Sequence, residues 1–351
     1  MASFYKVTVK NIIKETDKAV SIAFAIPAEI KDKFQYIAGQ YITIKTKING
    51  EEIRRAYSIC TAPNSGEIRI VVKEIENGTF SVYANRNLKD GAILEISEPE
   101  GKFILPTNPN NAKNYLGFAA GSGITPIMAM IQAVITEEPK SKFVLVYGNK
   151  TVKDTIFYNK LNALQQNYPN QFKVQYVFSK EQPEGSLFGR IDASIVNFVL
   201  NKNKETVFND AYLCGPEQMI HTVKGTLQSK GFTEDQIHFE LFTPTENIGD
   251  NFDNISLTGK AKITVLLDEE ETSFEMDKKE TILEAALKHH LDAPYSCQGG
   301  ICSSCIAKLT EGKAIMDKNT ILSKEEVAQG LVLTCQAHPV TDVIVVDYDD
   351  V

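Results

Sequence analysis

The sequence predicts a multidomain chain: an antiparallel β-barrel first, an α/β doubly wound parallel sheet second, and a small mixed α/β module last. Three observations predict it. The 351 residues exceed what one hydrophobic core usually serves. Short β-rich segments fill residues 1–107, whereas residues 113–244 alternate short apolar strands with stretches of helix length. A polar stretch rich in Gly, Asn and Asp, residues 245–260, reads as a linker and sets off residues 261–351.

The N-terminal module is built from VTVKNII, VSIAFAI, YITIKT and IRIVVKEI, which alternate or are β-branched and are punctuated by Gly, Asn and Pro. Such segments close as an antiparallel barrel. In the middle module YLGFAAG, FVLVYG, FKVQYVFS and AYLCG are the strands, and helices between them make the sheet parallel. The last module opens with the strand KITVLLD and continues with ETILEAALKHH. There Thr281 and Glu284 form a T-x-x-E capping box, in which each side chain satisfies an orphan donor at the helix start. No internal repeat is present.

Hydrophobic residues make up 43% of the chain and charged residues 23%, an ordinary globular composition. The N-terminus, MASFYKVTVKNIIKET, alternates like a strand and lacks a basic region followed by an apolar core, so no signal peptide is expected and the location is cytoplasmic. The six cysteines are then not a disulfide framework. Residues 114–136 carry no charge, but Gly121, Gly123 and Pro126 interrupt them, which favours strand, turn and helix over a membrane span. Residues 261–351 hold 17 Asp plus Glu against 8 Lys, a net of -9; the whole chain is -8, so residues 1–260 sum to +1. That balance excludes nucleic acid as a partner. It leaves a solvated acidic surface or a docking face for a basic protein.

The strongest chemical signal is CQGGICSSC. Cys297, Cys302 and Cys305 are spaced C-x4-C-x2-C, and Cys335 follows at a distance. Four thiolates, two per iron, are what a [2Fe–2S] cluster needs, and this is the plant-type spacing. Gly299 and Gly300 let the backbone turn toward bridging sulfides, and the small Ser303 and Ser304 leave room. A structural zinc site is the competing reading, but zinc favours two short C-x2-C knuckles and only one is present. PYSCQGGICSSCIAKL followed by LTCQAHP resembles a plant-type ferredoxin domain of the β-grasp (α+β) fold. The resemblance implies that Cys297 and Cys302 hold the outer iron, and Cys305 and Cys335 the inner one.

Upstream lie four weaker motifs. RAYS contains Arg55, Tyr57 and Ser58: a guanidinium fork for a diphosphate, a ring and a hydroxyl, or simply an amphipathic strand end. GTFS contains Gly78, Thr79, Phe80 and Ser81 and opens a helix, either a phosphate site or an ordinary cap. GFAAGSGITP places Gly121, Gly123, Thr125 and Pro126 between strand and helix, with Thr125 expected as the cap and Pro126 at the first helical position. CGPEQM puts Cys214 and Gly215 at another strand end, where Cys214 is a candidate site residue or a plain buried thiol.

Taken in this order, R-x-Y-[ST], G-x-x-S, G-x-G-x-x-P and C-G-P resemble the ferredoxin–NADP reductase family over residues 1–244. With the ferredoxin module attached, the resemblance extends over nearly the whole chain and is closest to the reductase components of multicomponent oxygenases. It implies an FAD-binding domain at 1–107, an NAD(P)-binding domain at 113–244 and a [2Fe–2S] domain at 261–351. Arg55 would bind the FAD diphosphate, Tyr57 would stack on the isoalloxazine, and Ser58 would approach its N5. Gly78, Thr79, Phe80 and Ser81 would hold FAD phosphates; Gly121, Gly123, Thr125 and Pro126 would form the pyridine-nucleotide loop; Cys214 and Gly215 would sit beside the nicotinamide. Glu240, Leu241 and Phe242 resemble the E-x-aromatic end of the reductase module, although the chain here runs on past Phe242.

FMN serves some relatives with a C-terminal ferredoxin domain, and the G-x-x-S helix start favours FAD. No acid directly follows the strand FVLVYG, while Ser179 and Lys180 follow the strand FKVQYVF and Arg190 comes after the next loop. These resemble the 2′-phosphate site of NADPH-dependent relatives, with NADH as the alternative. The implied activity is electron transfer from NADPH through FAD and the cluster to a separate oxygenase, epoxidase or hydroxylase component. A flavodoxin or ferredoxin acceptor, a redox sensor, and a scaffold with structural zinc are the alternatives.

Overall fold

The computed structural model describes residues 3–242 and 257–351. The expected linker therefore falls, for residues 245–256, outside the described residues. Apart from Arg54–Ala56, the first two sheets belong to one compact unit, and the C-terminal sheets belong to another.

Six strands build the first sheet: β1 (Phe4–Thr16), β2 (Ala19–Ala25), β3 (Tyr41–Ile48), β4 (Glu51–Ser58), β5 (Ile68–Lys73) and β6 (Ile93–Ser97), with helix α1 (Thr79–Arg86) between the last two. Their order is β4-β3-β6-β1-β2-β5. A bridge between Ile59, just past β4, and Ile70 of β5 joins the two edges and rolls the sheet into a barrel. Period-2 alternation explains the core: Val7, Val9, Ile22, Phe24, Ile42, Ile44, Ile70, Val72, Leu94 and Ile96 face one interior, which Phe80 of α1 plugs.

The second sheet is parallel throughout its recorded pairings. In chain order its elements are β7 (Asn114–Ala120), α2 (Ile124–Glu137), β8 (Lys142–Asn149), α3 (Tyr158–Asn167), β9 (Phe172–Phe178), β10 (Leu187–Phe188), α4 (Ala193–Lys202), β11 (Asp210–Gly215), α5 (Glu217–Ser229) and β12 (Ile237–Leu241). The strands lie in the order β10-β9-β8-β7-β11-β12. Eleven of the 14 residues of α2 are buried, which accounts for the uncharged run seen in sequence. One side of this helix meets β7, where Ile127 faces Gly117. Another meets the barrel, where the Gln132 amide donates to the Cys60 carbonyl at 2.9 Å. Buried residues of both sheets join in one cluster around α2. No described helix is long and apolar enough to cross a membrane.

The C-terminal unit comprises β13 (Lys260–Leu267), β14 (Glu270–Asp277), α6 (Ile282–Lys288), β15 (Ile306–Glu311), β16 (Ala314–Met316), α7 (Lys324–Ala328), β17 (Leu331–Leu333), β18 (Ala337–Pro339) and β19 (Val343–Asp347). A five-stranded sheet runs β14-β13-β19-β15-β17, with β13 and β19 parallel at its centre. The capping box is present as the sequence requires: Thr281 Oγ1 accepts from the Glu284 N–H, and Glu284 Oε2 accepts from the Thr281 N–H. Below it, Ile282, Leu283, Ala285 and Ala286 enter the core with Ile263, Val265, Ile344 and Val346. Thr281→Ala is expected to cost about 1 kcal/mol of stability, seen as a lower urea midpoint of the full chain by far-UV circular dichroism.

Candidate functional site

The chain leaves β7 toward β8 on one side and returns to β11 on the other, so the strand order reverses between β7 and β11. In open parallel sheets the crevice at the carboxyl ends of such strands receives the ligand. Both glycine motifs arrive there. Gly121 has a left-handed φ of 56°. A Cβ on Gly123 would lie 2.1 Å from the Cys214 carbonyl oxygen and 2.9 Å from the Gly215 nitrogen, so only glycine fits.

The helix start differs from the expectation. It begins at Ile124 with Gly123 as cap, and no side chain caps it. Thr125 is already inside the first turn, and its hydroxyl donates to the Ser122 carbonyl at 3.0 Å. Pro126 is the third helical residue, not the first; it remains in the first turn, where a missing N–H costs nothing.

Beside this loop, Cys214 of β11 pairs in register with Glu240 of β12. The Ser58 hydroxyl, at the end of β4, donates to Glu240 Oε2 at 3.3 Å. Barrel and parallel sheet thus meet at a serine, a carboxyl and a thiol. Burial pushes the Cys214 thiol well above its ordinary value, with the nearby Glu240 adding to it, so the thiol is neutral and not a nucleophile. Burial also raises the Glu240 carboxyl to about 8, against the lowering effect of the Ser58 hydrogen bond. The residue keeps some exposed surface; its carboxyl end is the desolvated part.

Tyr57 is half-buried, and its ring centroid lies 5.6 Å from that of Phe80. Arg55, two residues back on the same strand, is exposed, and its guanidinium donates to the Arg54 carbonyl. At the start of α1 the side chains turn inward. Phe80 belongs to the barrel core, and Ser81 Oγ accepts from the Ile75 N–H at 3.3 Å. A Cβ on Gly78 would lie 2.3 Å from that Ser81 oxygen. The Phe80 ring is therefore a support for Tyr57, and what this segment can offer a phosphate is backbone N–H. A cavity of about 1010 Å³ opens here, lined by Gly78 and Thr79 together with Lys18 and Lys47. Phe242 packs against the core cluster that contains Cys214.

Ser179 and Lys180 leave β9 with their N–H groups bonded to the Asn149 and Lys150 carbonyls. Arg190 precedes the buried Ile191, whose side chain covers Gly148 at the end of β8. The side chains of Lys180 and Arg190 are exposed.

In the C-terminal unit Cys297, Cys302 and Cys305 lie on the segment between α6 and β15, and Cys335 lies between β17 and β18. Their closest contacts join Cys297 with Cys302 and Cys305 with Cys335. The Cys305 and Cys335 sulfurs are 3.3 Å apart, beyond the ~2.05 Å of a disulfide. Cys302 is hydrogen-bonded to Cys297, which draws the Cys297 thiol down to about 6, helped by the N–H groups of Gly299, Ile301 and Cys302. Cys335 is likewise lowered, first by Cys305 and also by the Gly300 N–H. Two thiol pairs ringed by backbone donors suit two irons bridged by sulfide; one tetrahedral zinc would gather all four sulfurs about a single point.

Comparison with known proteins agrees on every module. The family models described as oxidoreductase FAD-binding domain, oxidoreductase NAD-binding domain and 2Fe-2S iron-sulfur cluster binding domain match residues 6–104, 118–225 and 265–340. One polypeptide of the 1,2-phenylacetyl-CoA epoxidase of Escherichia coli K12 is 38% identical over 99% of this chain and 99% of its own. The chain belongs to the ferredoxin–NADP reductase family with a C-terminal ferredoxin domain. The ferredoxin reductase component of 3-ketosteroid-9-alpha-monooxygenase from Rhodococcus rhodochrous is 31% identical, over 97% of this chain and 96% of that protein. Phthalate dioxygenase reductase shares the fold, with a TM-score of 0.62 at 22% identity, over 98% of each chain. As a reductase of this family the chain uses FAD, NAD(P)H and a [2Fe–2S] cluster.

Two residues of this reductase carry no motif signal of their own. Lys73, at the end of β5, comes within 3.4 Å of the Cβ position that Gly121 leaves empty, and burial, then Lys150, lowers its amine. Glu240 is visible in sequence only as the acid two places before Phe242. Between the ordinary carboxyl value and about 8, the unfolded chain releases the Glu240 proton while the folded chain keeps it. Stability from this residue is thus complete at acid pH, falls as pH rises across that window, and levels off above it. Glu240→Gln is expected to flatten this part of the pH profile, checked by thermal midpoints from about pH 5 to about pH 9.

Proposed function

We propose that this chain is the NAD(P)H-dependent reductase that supplies electrons to a separate oxygenase, epoxidase or hydroxylase component. One observation carries the reading: a crevice at the reversal of strand order, closed by Ser58, Cys214 and Glu240, stands in one chain with two close pairs of cysteines. The relatives that match end to end are a component of an epoxidase and the reductase component of a monooxygenase.

FAD supplies the exchange between a two-electron hydride and single electrons, and the cluster supplies a one-electron carrier. The residues supply orientation and electrostatics. Tyr57, backed by Phe80, would offer a ring face to the isoalloxazine and Ser58 a hydroxyl toward its N5; Arg55 and the N–H groups of Thr79, Phe80 and Ser81, with Gly78 at the helix start, would hold the FAD phosphates. Gly121, Gly123, Thr125 and Pro126, with Lys73 alongside, receive the nucleotide diphosphate. Gly215 and the neutral, buried Cys214 form a small uncharged wall for the nicotinamide. Glu240 holds a proton at neutral pH next to the Ser58 hydroxyl. Cys297 with Cys302, and Cys305 with Cys335, would each hold one iron. Ser179 and Lys180, just after β9, and Arg190, just after β10, would meet a 2′-phosphate, which favours NADPH over NADH. Domain limits of 1–107, 113–244 and 261–351, and a cytoplasmic location suited to free thiols, complete the proposal.

An anaerobic visible spectrum, before and after one equivalent of NADPH and then NADH, tests the whole reading. Bleaching of both flavin and iron–sulfur bands supports it; a colourless, zinc-bearing protein refutes it. Cys302→Ser is expected to lose cluster absorbance and lower delivery to a protein acceptor on the order of a hundredfold, while NADPH still bleaches the flavin. Lys180→Ala and Arg190→Ala are each expected to raise KM for NADPH about tenfold, the effect of losing a charge-assisted bond. KM for NADH, measured in the same assay, should not move.

A further inference from the structure

Tyr147 lies on β8 with no exposed surface. Its hydroxyl donates to the Gly121 carbonyl at 2.9 Å and reaches the Ile156 carbonyl at 3.3 Å. The same Gly121 carbonyl accepts the Ile124 N–H at the start of α2. Burial keeps this phenol protonated, so it is a donor throughout the physiological pH range.

The consequence follows from peptide geometry. A planar trans peptide points its C=O and the next N–H to opposite sides. Gly121, at φ 56°, is the residue here with the widest choice of backbone orientation. With its carbonyl held toward the buried phenol, the Ser122 N–H is turned away from the core, at the carboxyl end of β7. Lys73 Nζ stands 3.4 Å from the Cβ position of Gly121.

We propose that Tyr147 is a positioning residue for nucleotide binding: by fixing the Gly121–Ser122 peptide it aims a backbone N–H at the diphosphate of NAD(P)H. The inference rests on the reductase reading. It adds a residue that touches no ligand and lies outside every motif of the family pattern.

Tyr176 provides the control. It is also buried, its ring is 6.4 Å from that of Tyr147, and its hydroxyl donates to Asn162 Oδ1 at 3.0 Å without touching the loop. The experiment compares Tyr147→Phe and Tyr176→Phe in the full-length holoenzyme. It measures kcat and KM for NADPH and NADH, the Kd of NADP+ by titration calorimetry, and the thermal midpoint. Tyr147→Phe is expected to raise KM and Kd about tenfold, equivalent to ~1.4 kcal/mol, with kcat nearly unchanged. Tyr176→Phe should lower the thermal midpoint comparably and leave KM and Kd alone. Should Tyr147→Phe be unfolded at the assay temperature, the Kd of NADP+ is measured in the cold, below the variant's thermal midpoint, and the same rise is expected. Unchanged KM and Kd in the folded variant, or an equal rise in Tyr176→Phe, would overturn the proposal. A wild-type chain that binds neither nucleotide would overturn the reductase reading as well, which separates the two failures.

Discussion

Nothing larger than a hydrogen fits between Gly123 and the backbone of Cys214, where a Cβ would stand 2.1 Å from the carbonyl oxygen. That close approach sets the distance between the ends of β7 and β11. It brings the nucleotide loop against the Cys214–Gly215 turn, and through the register of β11 with β12 it fixes Glu240 beside them. Ser58 reaches the same carboxyl from the barrel. The crevice is the product of one backbone contact propagated through two strand pairings.

The physical character of the crevice follows from what surrounds it. Helix α2 is buried almost all round because it serves two sheets at once, and its apolar faces exclude water from the junction. In that setting both acidic groups, the Cys214 thiol and the Glu240 carboxyl, favour their neutral forms. The cations stand further out, at Lys73 and in the exposed Lys180 and Arg190, where a charged nucleotide would meet them.

Much of this was legible in the chain because the signals were local. Alternation in β1 and β2, the Thr281 and Glu284 capping box, and the C-x4-C-x2-C spacing each depend on residues a few positions apart. Helix α2 shows the limit of local reading: the sequence places its cap at Thr125, but tertiary packing of Gly123 on Cys214 starts the helix two residues earlier and leaves Thr125 inside it. Phe80 and Ser81 looked like site residues in sequence, yet their side chains serve the barrel and the loop before α1. Glu240, Lys73 and Tyr147 lie on strands far apart in the chain. What gives them a role is the meeting of strand ends, which no spacing along the sequence records.

The cysteine pairs differ in how they are held. Cys305 and Cys335 flank the pairing of β15 with β17, where the Thr334 N–H and hydroxyl both donate to the Cys305 carbonyl. Cys297 and Cys302 belong to a single loop, bound by its own N–H groups. One cysteine pair is therefore a product of sheet formation, and the other of a turn. In the life of the protein this makes two different demands: Cys305 and Cys335 are brought together by the pairing of β15 with β17, whereas Cys297 and Cys302 are brought together by a turn of their own.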